Sequence, residues 1–157
     1  MTVEIKSRKE IERMALEVFA DNTALISITD YGYPFAKLKY RPKFLLQIAF
    51  DDVPIADDFG EELGHEPDAD EKKIIEKRYH TLTEDQARQI AFFINSVKDR
   101  AALLICQCEY GQSRSAAVAS AFREYSTHDG IEIFAYDRYC PNKSVFRKIL
   151  SLLRLEN

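Results

Sequence analysis

The stretch from Ala101 to Tyr125 constrains the fold of this 157-residue chain most strongly. It reads AALLICQCEYGQSRSAAVASAFREY: an apolar run, a short polar loop that contains a glycine, and then a run rich in small residues. An apolar run of this kind is typical of a buried strand, and an alanine-rich run is typical of a slim helix that approaches a sheet closely. The stretch therefore predicts a strand, a tight loop and a helix within an α/β domain.

Cys108 and Arg114 lie at the two ends of the loop, with five residues between them. A loop of this length can curl so that its backbone N–H groups point inward and bind an anion. The helix that follows adds unpaired N–H groups and the positive end of its dipole, which suit a phosphate. The planar guanidinium of Arg114 can hold two phosphate oxygens at once. The loop therefore predicts a phosphate site formed by Glu109, Tyr110, Gly111, Gln112, Ser113 and Arg114.

We interpret Cys108 as a nucleophile rather than a buried structural cysteine. The inward-pointing N–H groups would favour its thiolate, which is the form that attacks phosphorus. Ser115 can hydrogen-bond the sulfur. A cysteine that only fills the core does not require a glycine-containing loop, an arginine and a helix start directly after it. The pattern therefore predicts a reactive Cys108, and Cys106, two residues earlier, is expected to pack in the core.

The segment CEYGQSRS resembles the signature of the cysteine-dependent protein tyrosine phosphatases, in particular their dual-specificity-like branch. That signature reads His, Cys, five residues, Arg, and then Ser or Thr. This chain has Gln107 where the family has the histidine that helps to orient the loop. The resemblance implies an α/β fold with a central, mostly parallel sheet of about four to five strands and helices on both faces. It also implies phosphomonoester hydrolysis through a cysteinyl-phosphate, with no metal and no other cofactor.

Asp51 and Asp52 follow the apolar run Phe44 to Phe50, which predicts a strand buried on both faces of a parallel sheet. Carboxylates just beyond the C-terminal end of such a strand lie where α/β proteins place ligand sites. An acid there could protonate a leaving oxygen and then activate water, although an Asp pair can also simply form a turn. The resemblance favours Asp52 as this acid, and Asp51 is the nearest alternative. Asp57 and Asp58 are further alternatives if the next loop folds back.

The segment from Ala56 to Arg78 is acidic, contains Gly and Pro, and then turns basic. It predicts a mobile surface insertion at about residues 55–78, and the alternative is a lid or a partner-binding flap. The three histidines, His65, His80 and His128, lack the spacing of metal ligands. They are expected to be solvated or to cap helices.

The remaining elements of the N-terminal half follow from local patterns. Ser7 and Glu10 have capping-box spacing, and apolar residues recur at helical period from Ile11 to Phe19. The run from Ala24 to Ile28 predicts a strand. The basic patch Lys37 to Lys43 predicts a solvated strand face, and the alternative is a rim that binds a phosphorylated substrate.

In the C-terminal half, Thr81 with Glu84, or Thr83 with Gln86, has capping-box spacing. The helix that follows is expected to bury Ala87, Ile90, Ala91, Ile94 and Val97. The run from Ile131 to Tyr136 has the composition of a short strand. The Pro141-Asn142 pair opens a last helix that extends toward Leu155, and this opening also resembles the phosphatase family.

Composition limits the function classes. The chain is 46% hydrophobic and 31% charged with a formal net charge of -4, which fits one globular domain over residues 1–157 and argues against broad nucleic-acid binding. The N-terminus lacks an apolar targeting segment, and no run is long enough to cross a membrane, so we expect a cytoplasmic protein. Three cysteines without CxxC pairs predict reduced thiols. The expected partner is a phosphorylated substrate, either protein phosphotyrosine or a small phosphomonoester such as a phosphoinositide, nucleotide, sugar phosphate or RNA 5′-phosphate. A weakly active module that only binds phospho-ligands is a further alternative.

Overall fold

The computed structural model describes residues 1–15 and 21–155. In chain order the helices and strands are β1 (Thr2–Lys6), α1 (Arg8–Arg13), β2 (Thr23–Thr29), β3 (Phe44–Ala49), a 3₁₀ turn (Ala56–Asp58), α2 (Gly60–Leu63), α3 (Ala69–Tyr79), α4 (Glu84–Val97), β4 (Leu103–Gln107), α5 (Arg114–Thr127), α6 (Ile131–Ala135) and α7 (Lys143–Leu155). A crossover connection joins each pair of successive parallel strands, and it contains helix in every case except between β2 and β3.

The strands form one sheet in the order β1-β4-β2-β3, and every neighbouring pair is parallel. Parallel strands place all of their C-terminal ends at the same edge of the sheet. β2 and β4 occupy the centre, and every residue of β2 is buried. The α/β prediction with a central parallel sheet is therefore confirmed.

The two faces of the sheet are covered differently. Ile26 and Leu104 point to the face on which α4, α5 and α7 pack, and together they form the main core. Leu25 and Ile105, the alternate residues of the same strands, point to the other face and pack with Ile11 of α1. Part of the connection between β2 and β3 also covers this second face. Helices lie on both faces, as expected, but the second face is covered partly by the irregular connection between β2 and β3.

Three helices begin with a complete capping box, in which the N-cap side chain and the third helical residue exchange hydrogen bonds. Each such cap contributes about 1 kcal/mol to helix stability. The pairs are Ser7 with Glu10, Asp68 with Glu71, and Thr83 with Gln86. The first and the third confirm the sequence prediction. Of the two alternatives at the start of α4, the N-cap is Thr83, because its side chain accepts the Gln86 N–H.

β3 is an edge strand, so the prediction that Phe44 to Phe50 is buried on both faces is wrong. In the described residues it pairs only with β2. Gln47 is exposed, and the ring of Phe44 is covered by the guanidinium of Arg100, which lies 4.7 Å from the ring centroid. The central strand with two buried faces is β2, a shorter apolar run in the sequence. The hydrophobicity of the Phe44 to Phe50 run therefore did not predict its position in the sheet, because strand order depends on contacts between distant parts of the chain.

The predicted strand over residues 37–43 is also wrong, because these residues form an irregular connection. Pro42 cannot donate a ladder hydrogen bond, and the N–H of Lys37 donates to the carboxylate of Glu12 at 2.8 Å. The solvation of the basic patch is confirmed, since its four cations are all exposed: Lys37, Lys39, Arg41 and Lys43.

Residues 131–135 form helix α6, so the strand prediction for this run is wrong. The turn at Asp129-Gly130 starts the helix, with Ile133 N–H donating to the Gly130 carbonyl at 3.2 Å. That carbonyl also accepts the hydroxyl of Ser120 on α5 at 2.7 Å. A Cβ at position 130 would lie 2.3 Å from the Ser120 carbonyl oxygen, so only glycine allows this close approach. Tertiary packing therefore overrides the β-prone composition.

The first helix is shorter than its apolar period predicted. α1 ends at Arg13, because Met14 adopts an extended conformation with ψ of 139°. The predicted helical residues Val18 and Phe19 lie outside the described residues. The closing helix α7 is confirmed, and it buries Val145, Ile149, Leu150, Leu152 and Leu153. No helix within residues 1–15 and 21–155 is long and apolar enough to cross a membrane.

The acidic segment after β3 contains secondary structure that its composition did not predict. The 3₁₀ turn, α2 and α3 lie within it, and Ala56, Phe59 and Ile75 form a small core of their own. Its mobility and its role as a lid stay predictions. This small core shows that the segment buries apolar side chains despite its many charged residues.

Two of the three histidines lie at helix ends, as expected. His80 ends α3 and His128 ends α5, both in the left-handed region with φ of 51° and 58°. His65 is exposed and lies 2.9 Å from Glu71. Their hydrogen bond raises the pKa of His65 and lowers the pKa of Glu71.

Candidate active site

The candidate site begins where β4 ends between its two neighbours. Gln107 is the last residue of β4, and it lies in register with Lys6 of β1 and Ser27 of β2. Cys108 follows directly, and its N–H donates to the Lys6 carbonyl at 3.3 Å. The loop therefore starts at the C-terminal edge of the sheet, from one of its two central strands, and α5 begins at Arg114.

The loop curls tightly against the chain between β1 and α1. Gly111 has φ of +65°, a conformation that L side chains rarely adopt. A Cβ on Gly111 would lie 2.7 Å from the backbone nitrogen of Ser7 and 2.8 Å from the carbonyl carbon of Lys6. Both the conformation and the close approach require glycine at this position.

Arg8 ties the first loop residue to the end of β2. Its Nε donates to the Glu109 carboxylate at 2.6 Å, and its Nη2 donates to the Thr29 hydroxyl and the Pro34 carbonyl, both at 2.9 Å. The Arg8 N–H also donates to the Glu109 carbonyl at 3.1 Å. These contacts hold the loop from outside, so its curvature does not depend on its own five residues alone.

Cys108 and Ser115 lie in contact inside the loop. The sulfur lies 3.0 Å from the Ser115 hydroxyl oxygen, and both residues are buried. Cys106 is completely buried in the core, and this burial, with a smaller contribution from Cys108, raises the pKa of its thiol far above the ordinary value. Cys106 therefore stays protonated at neutral pH, which agrees with its predicted structural role.

Arg114 is almost completely buried, with 4% of its surface exposed. Nη1 donates to the Phe50 carbonyl at 2.8 Å and forms an ion pair with Asp30 at 2.6 Å. Nε is buried and has no hydrogen-bond partner among the described residues. A buried, charged donor without an acceptor is costly, so the Nε edge of the guanidinium is suited to an anionic ligand.

Asp52 is the acidic candidate that reaches the loop. One of its carboxylate oxygens accepts the Ser113 hydroxyl at 2.8 Å and the Asn142 side-chain amide at 3.0 Å. Asn142 also donates to the Val53 carbonyl at 3.1 Å, which fixes the segment after β3. The Asn142 N–H donates to the Ser113 carbonyl at 3.3 Å. The start of α7 thus connects the carboxylate to the loop.

The other acidic candidates point elsewhere. Asp51 accepts the backbone N–H of Tyr31, the residue after Asp30, at 2.9 Å. Asp57 pairs with Lys72 at 3.2 Å. Asp58 accepts hydrogen bonds from Ser144 and Arg147 near the start of α7. The loop after β3 therefore does not fold back to bring Asp57 or Asp58 to Ser113, and Asp52 is the predicted acid that the structure brings to the loop.

The loop residues between Glu109 and Ser113 differ in exposure. Gly111 is buried, Gln112 is exposed, and the Tyr110 side chain is 78% exposed and extends into solvent. The Gln112 carbonyl accepts the Cys140 N–H at 2.9 Å. Their predicted role in binding phosphate through backbone N–H groups stays a prediction.

Sequence reasoning missed Asp30, Asn142, Arg8 and Ser27. Asp30 follows the predicted strand β2, and a carboxylate at that position shares the C-terminal sheet edge with Cys108. The position of Asp30 directly after a predicted parallel strand could therefore have identified it as a candidate site residue. Asn142 and Arg8 gave no comparable signal, because their contacts depend on how distant elements pack.

Comparisons with known proteins find similar folds among solved structures. No family model matches the chain, and no curated protein matches it. Among solved structures, human DUSP28 superposes with a TM-score of 0.57 at 13% identity, covering 98% of this chain and 92% of that one. Human tyrosine phosphatase-like serine/threonine/tyrosine-interacting protein gives 0.56 at 18% identity, covering 98% and 92%. PTPMT1 in complex with PI(5)P gives 0.54 at 15% identity, covering 98% and 91%.

These likenesses show the fold. The chain has the α/β fold of the dual-specificity and tyrosine phosphatases along almost its entire length. The resemblance that CEYGQSRS suggested is therefore confirmed at the level of the fold.

Proposed function

We propose that this protein is a phosphomonoester hydrolase of the protein tyrosine and dual-specificity phosphatase type, with Cys108 as its nucleophile. The observation that carries the proposal is the buried guanidinium of Arg114, whose Nε has no partner among the described residues, at the end of the loop that starts at Cys108. A tetrahedral dianion would supply the missing acceptor. The phosphatase fold supports the same conclusion.

In the first step, the Cys108 thiolate attacks phosphorus and the bond between phosphorus and the leaving oxygen breaks. Asp52 donates its proton to that oxygen, so the leaving group departs as a neutral alcohol or phenol. Loop N–H groups and Arg114 stabilise the negative charge on the three non-bridging oxygens. The products of this step are the free alcohol and a cysteinyl-phosphate.

In the second step, water attacks the cysteinyl-phosphate and the bond between phosphorus and sulfur breaks. Asp52, now ionised, accepts a proton from the water, and inorganic phosphate is released. The Ser115 hydroxyl, 3.0 Å from the sulfur, donates a hydrogen bond to the departing thiolate. This contact lowers the energy of the thiolate as a leaving group.

Aromatic groups at the mouth of the site favour an aryl phosphate such as phosphotyrosine. Tyr31 follows Asp30, which contacts Arg114, and its ring stacks on His80 with centroids 3.8 Å apart. The Tyr31 ring remains 58% exposed. A phenyl leaving group could pack against it.

A phosphoinositide is the second candidate substrate, because one structure with the same fold contains PI(5)P. Measuring kcat/KM for a phosphotyrosine peptide and for short-chain phosphoinositides separates the two. A ratio above about tenfold in either direction, or about 1.4 kcal/mol of transition-state binding, would assign the substrate class.

The direct test is hydrolysis of an aryl phosphate by wild type, Cys108→Ser and Cys140→Ser. Cys140 is exposed, and its N–H rather than its sulfur contacts the loop, so it is a matched control. We expect turnover to be lost only in Cys108→Ser. Rapid quenching of wild type should trap a phosphoryl group on the peptide that contains Cys108. Turnover that survives in Cys108→Ser would falsify the mechanism.

The same experiment separates an enzyme from a module that only binds phospho-ligands. The substitution of Gln107 for the family's histidine is the feature that favours such a module. If wild type binds inorganic phosphate but hydrolyses none of the substrates, the binding module is the correct description.

A further inference from the structure

Gln107 is a completely buried polar side chain directly before the nucleophile, so its hydrogen bonds must be accounted for. Its Nε2 donates to the Cys108 carbonyl at 2.9 Å. Its Oε1 accepts the Ser27 hydroxyl at 2.6 Å. Ser27 is likewise completely buried, and it lies opposite Gln107 in the parallel register of β2 and β4.

The chemistry of the groups determines the direction of both hydrogen bonds. A backbone carbonyl only accepts, so the nitrogen of the Gln107 amide must face Cys108. Its oxygen must then face Ser27, and the Ser27 hydroxyl must donate. The Cys108 carbonyl therefore selects one of the two possible orientations of the amide, and Ser27 supplies the donor that the amide oxygen requires in that orientation.

The hydrogen bond from Gln107 to the Cys108 carbonyl also orients the next backbone N–H, that of Glu109. In a planar trans peptide, the carbonyl and the following N–H point in opposite directions. The contact with Gln107 therefore directs the Glu109 N–H away from the Gln107 side chain. This N–H is the first of the donors that the proposed phosphate site requires.

We propose that Ser27 and Gln107 act together as positioning residues for the phosphate-binding loop, taking the place of the family's histidine at position 107. The inference rests on the proposed function of that loop. Neither side chain touches substrate; they act through the Cys108–Glu109 peptide. Because neither an amide nor a hydroxyl titrates near neutral pH, this support does not change with protonation.

The test separates positioning from simple stability with three variants: Ser27→Ala, Gln107→Leu and the double variant. Ser27→Ala leaves the Gln107 amide oxygen unpaired, and Gln107→Leu leaves both the Ser27 hydroxyl and the Cys108 carbonyl without their partner, so each is expected to lower the Tm. In the double variant the Ser27 and Gln107 polar groups are both removed, so we expect the Tm to recover relative to Gln107→Leu. The Cys108 carbonyl still lacks its donor, so kcat should stay about tenfold or more below wild type, as for a misaligned donor.

Ser120→Ala is the matched control. Ser120 is also completely buried and donates to a carbonyl, that of Gly130 at 2.7 Å, but its partner is in the turn before α6 rather than in the loop. We expect it to lower the Tm and leave kcat unchanged. A double variant that recovers both Tm and kcat would overturn the inference, because the pair would then be purely structural.

A second measurement keeps the inference testable if the protein shows no turnover. Binding of inorganic phosphate is measured by calorimetry in the Cys108→Ser background, with and without the double substitution. Weaker binding, by about tenfold, supports positioning even if the proposed hydrolysis fails. Unchanged phosphate binding together with unchanged kcat would overturn the positioning role while leaving the hydrolase proposal intact.

Discussion

The loop from Cys108 to Arg114 and the segment from Asp51 to His80 contribute to the site in contrasting ways. The loop joins β4 to α5 directly, and its chemical residues Cys108 and Arg114 are buried. In the second segment, Asp52 is exposed and is held by Ser113 and by Asn142, a residue from the start of the last helix. The residues of the loop are adjacent in the chain, whereas Asp52 is brought to the loop only by contacts between distant parts of the chain.

This difference explains why the two regions were predicted unequally well. A strand, a tight loop and a helix start set the outline of the site over a few residues, so sequence spacing predicts that outline. The position of Asp52 depends on the packing of β3, α5 and α7 together, whereas distant residues such as Arg8 only support a loop whose outline is already local. The contrast also predicts that replacing Arg114 of the loop will cost more activity than replacing Asp52 of the segment from Asp51 to His80.

The largest effect is expected from Arg114→Lys. A lysine cannot present two parallel donors, and it cannot contact Phe50, Asp30 and the phosphate together. We expect kcat/KM for an aryl phosphate to fall by about 10³-fold, at the upper end for loss of a charge-stabilising donor. A loss below about tenfold would contradict the assigned role.

Asp52→Asn is expected to cost about 10²-fold in kcat, and only with poor leaving groups. An alkyl phosphate needs its leaving oxygen protonated, whereas an activated aryl phosphate does not. The measurement is the ratio of kcat for the two substrates in wild type and variant. Asp51→Asn is the control, because Asp51 binds the Tyr31 N–H instead of the loop. If Asp51→Asn gives the larger leaving-group effect, the acid is Asp51.

Gly111→Ala is expected to lower kcat by about tenfold and stability by about 1–3 kcal/mol. The added Cβ would be strained at φ of +65° and would press on Ser7 and Lys6. Gly64→Ala, in the acidic segment, is the matched control, because Gly64 has φ of +76° and its added Cβ would meet no atom within 4 Å. Both variants should lower the Tm, but only Gly111→Ala should lower kcat. Equal activities would show that the loop tolerates displacement.

The smallest effect concerns the thiols. Burial raises the pKa of Cys106, so this group contributes stability below the ordinary thiol range that is lost as pH rises above it. At neutral pH, iodoacetamide should label the exposed Cys140 and leave Cys106 unmodified until the protein unfolds. Peptide mass spectrometry checks this, and labelling of Cys106 in the folded state would show that the core opens beside the loop.

The amino-acid sequence by itself predicted three features: the loop from Cys108 to Ser115, the capped starts of α1 and α4, and the α/β class. These features depend on contacts within a few residues or on periodicity, and both can be recognised in the sequence without the tertiary structure. The preference for Asp52 and the start of the last helix drew in addition on the resemblance to a family.

Other features became visible only in the folded chain: β3 lies at the sheet edge, residues 131–135 are helical, and Asp30 pairs with Arg114. Likewise, Ser27 lies opposite Gln107, and Asn142 holds Asp52. Each of these features depends on strand order, register or helix packing between residues far apart in the chain. Local sequence does not encode those quantities, because the energy that selects them comes from burying surfaces that meet only in the folded state.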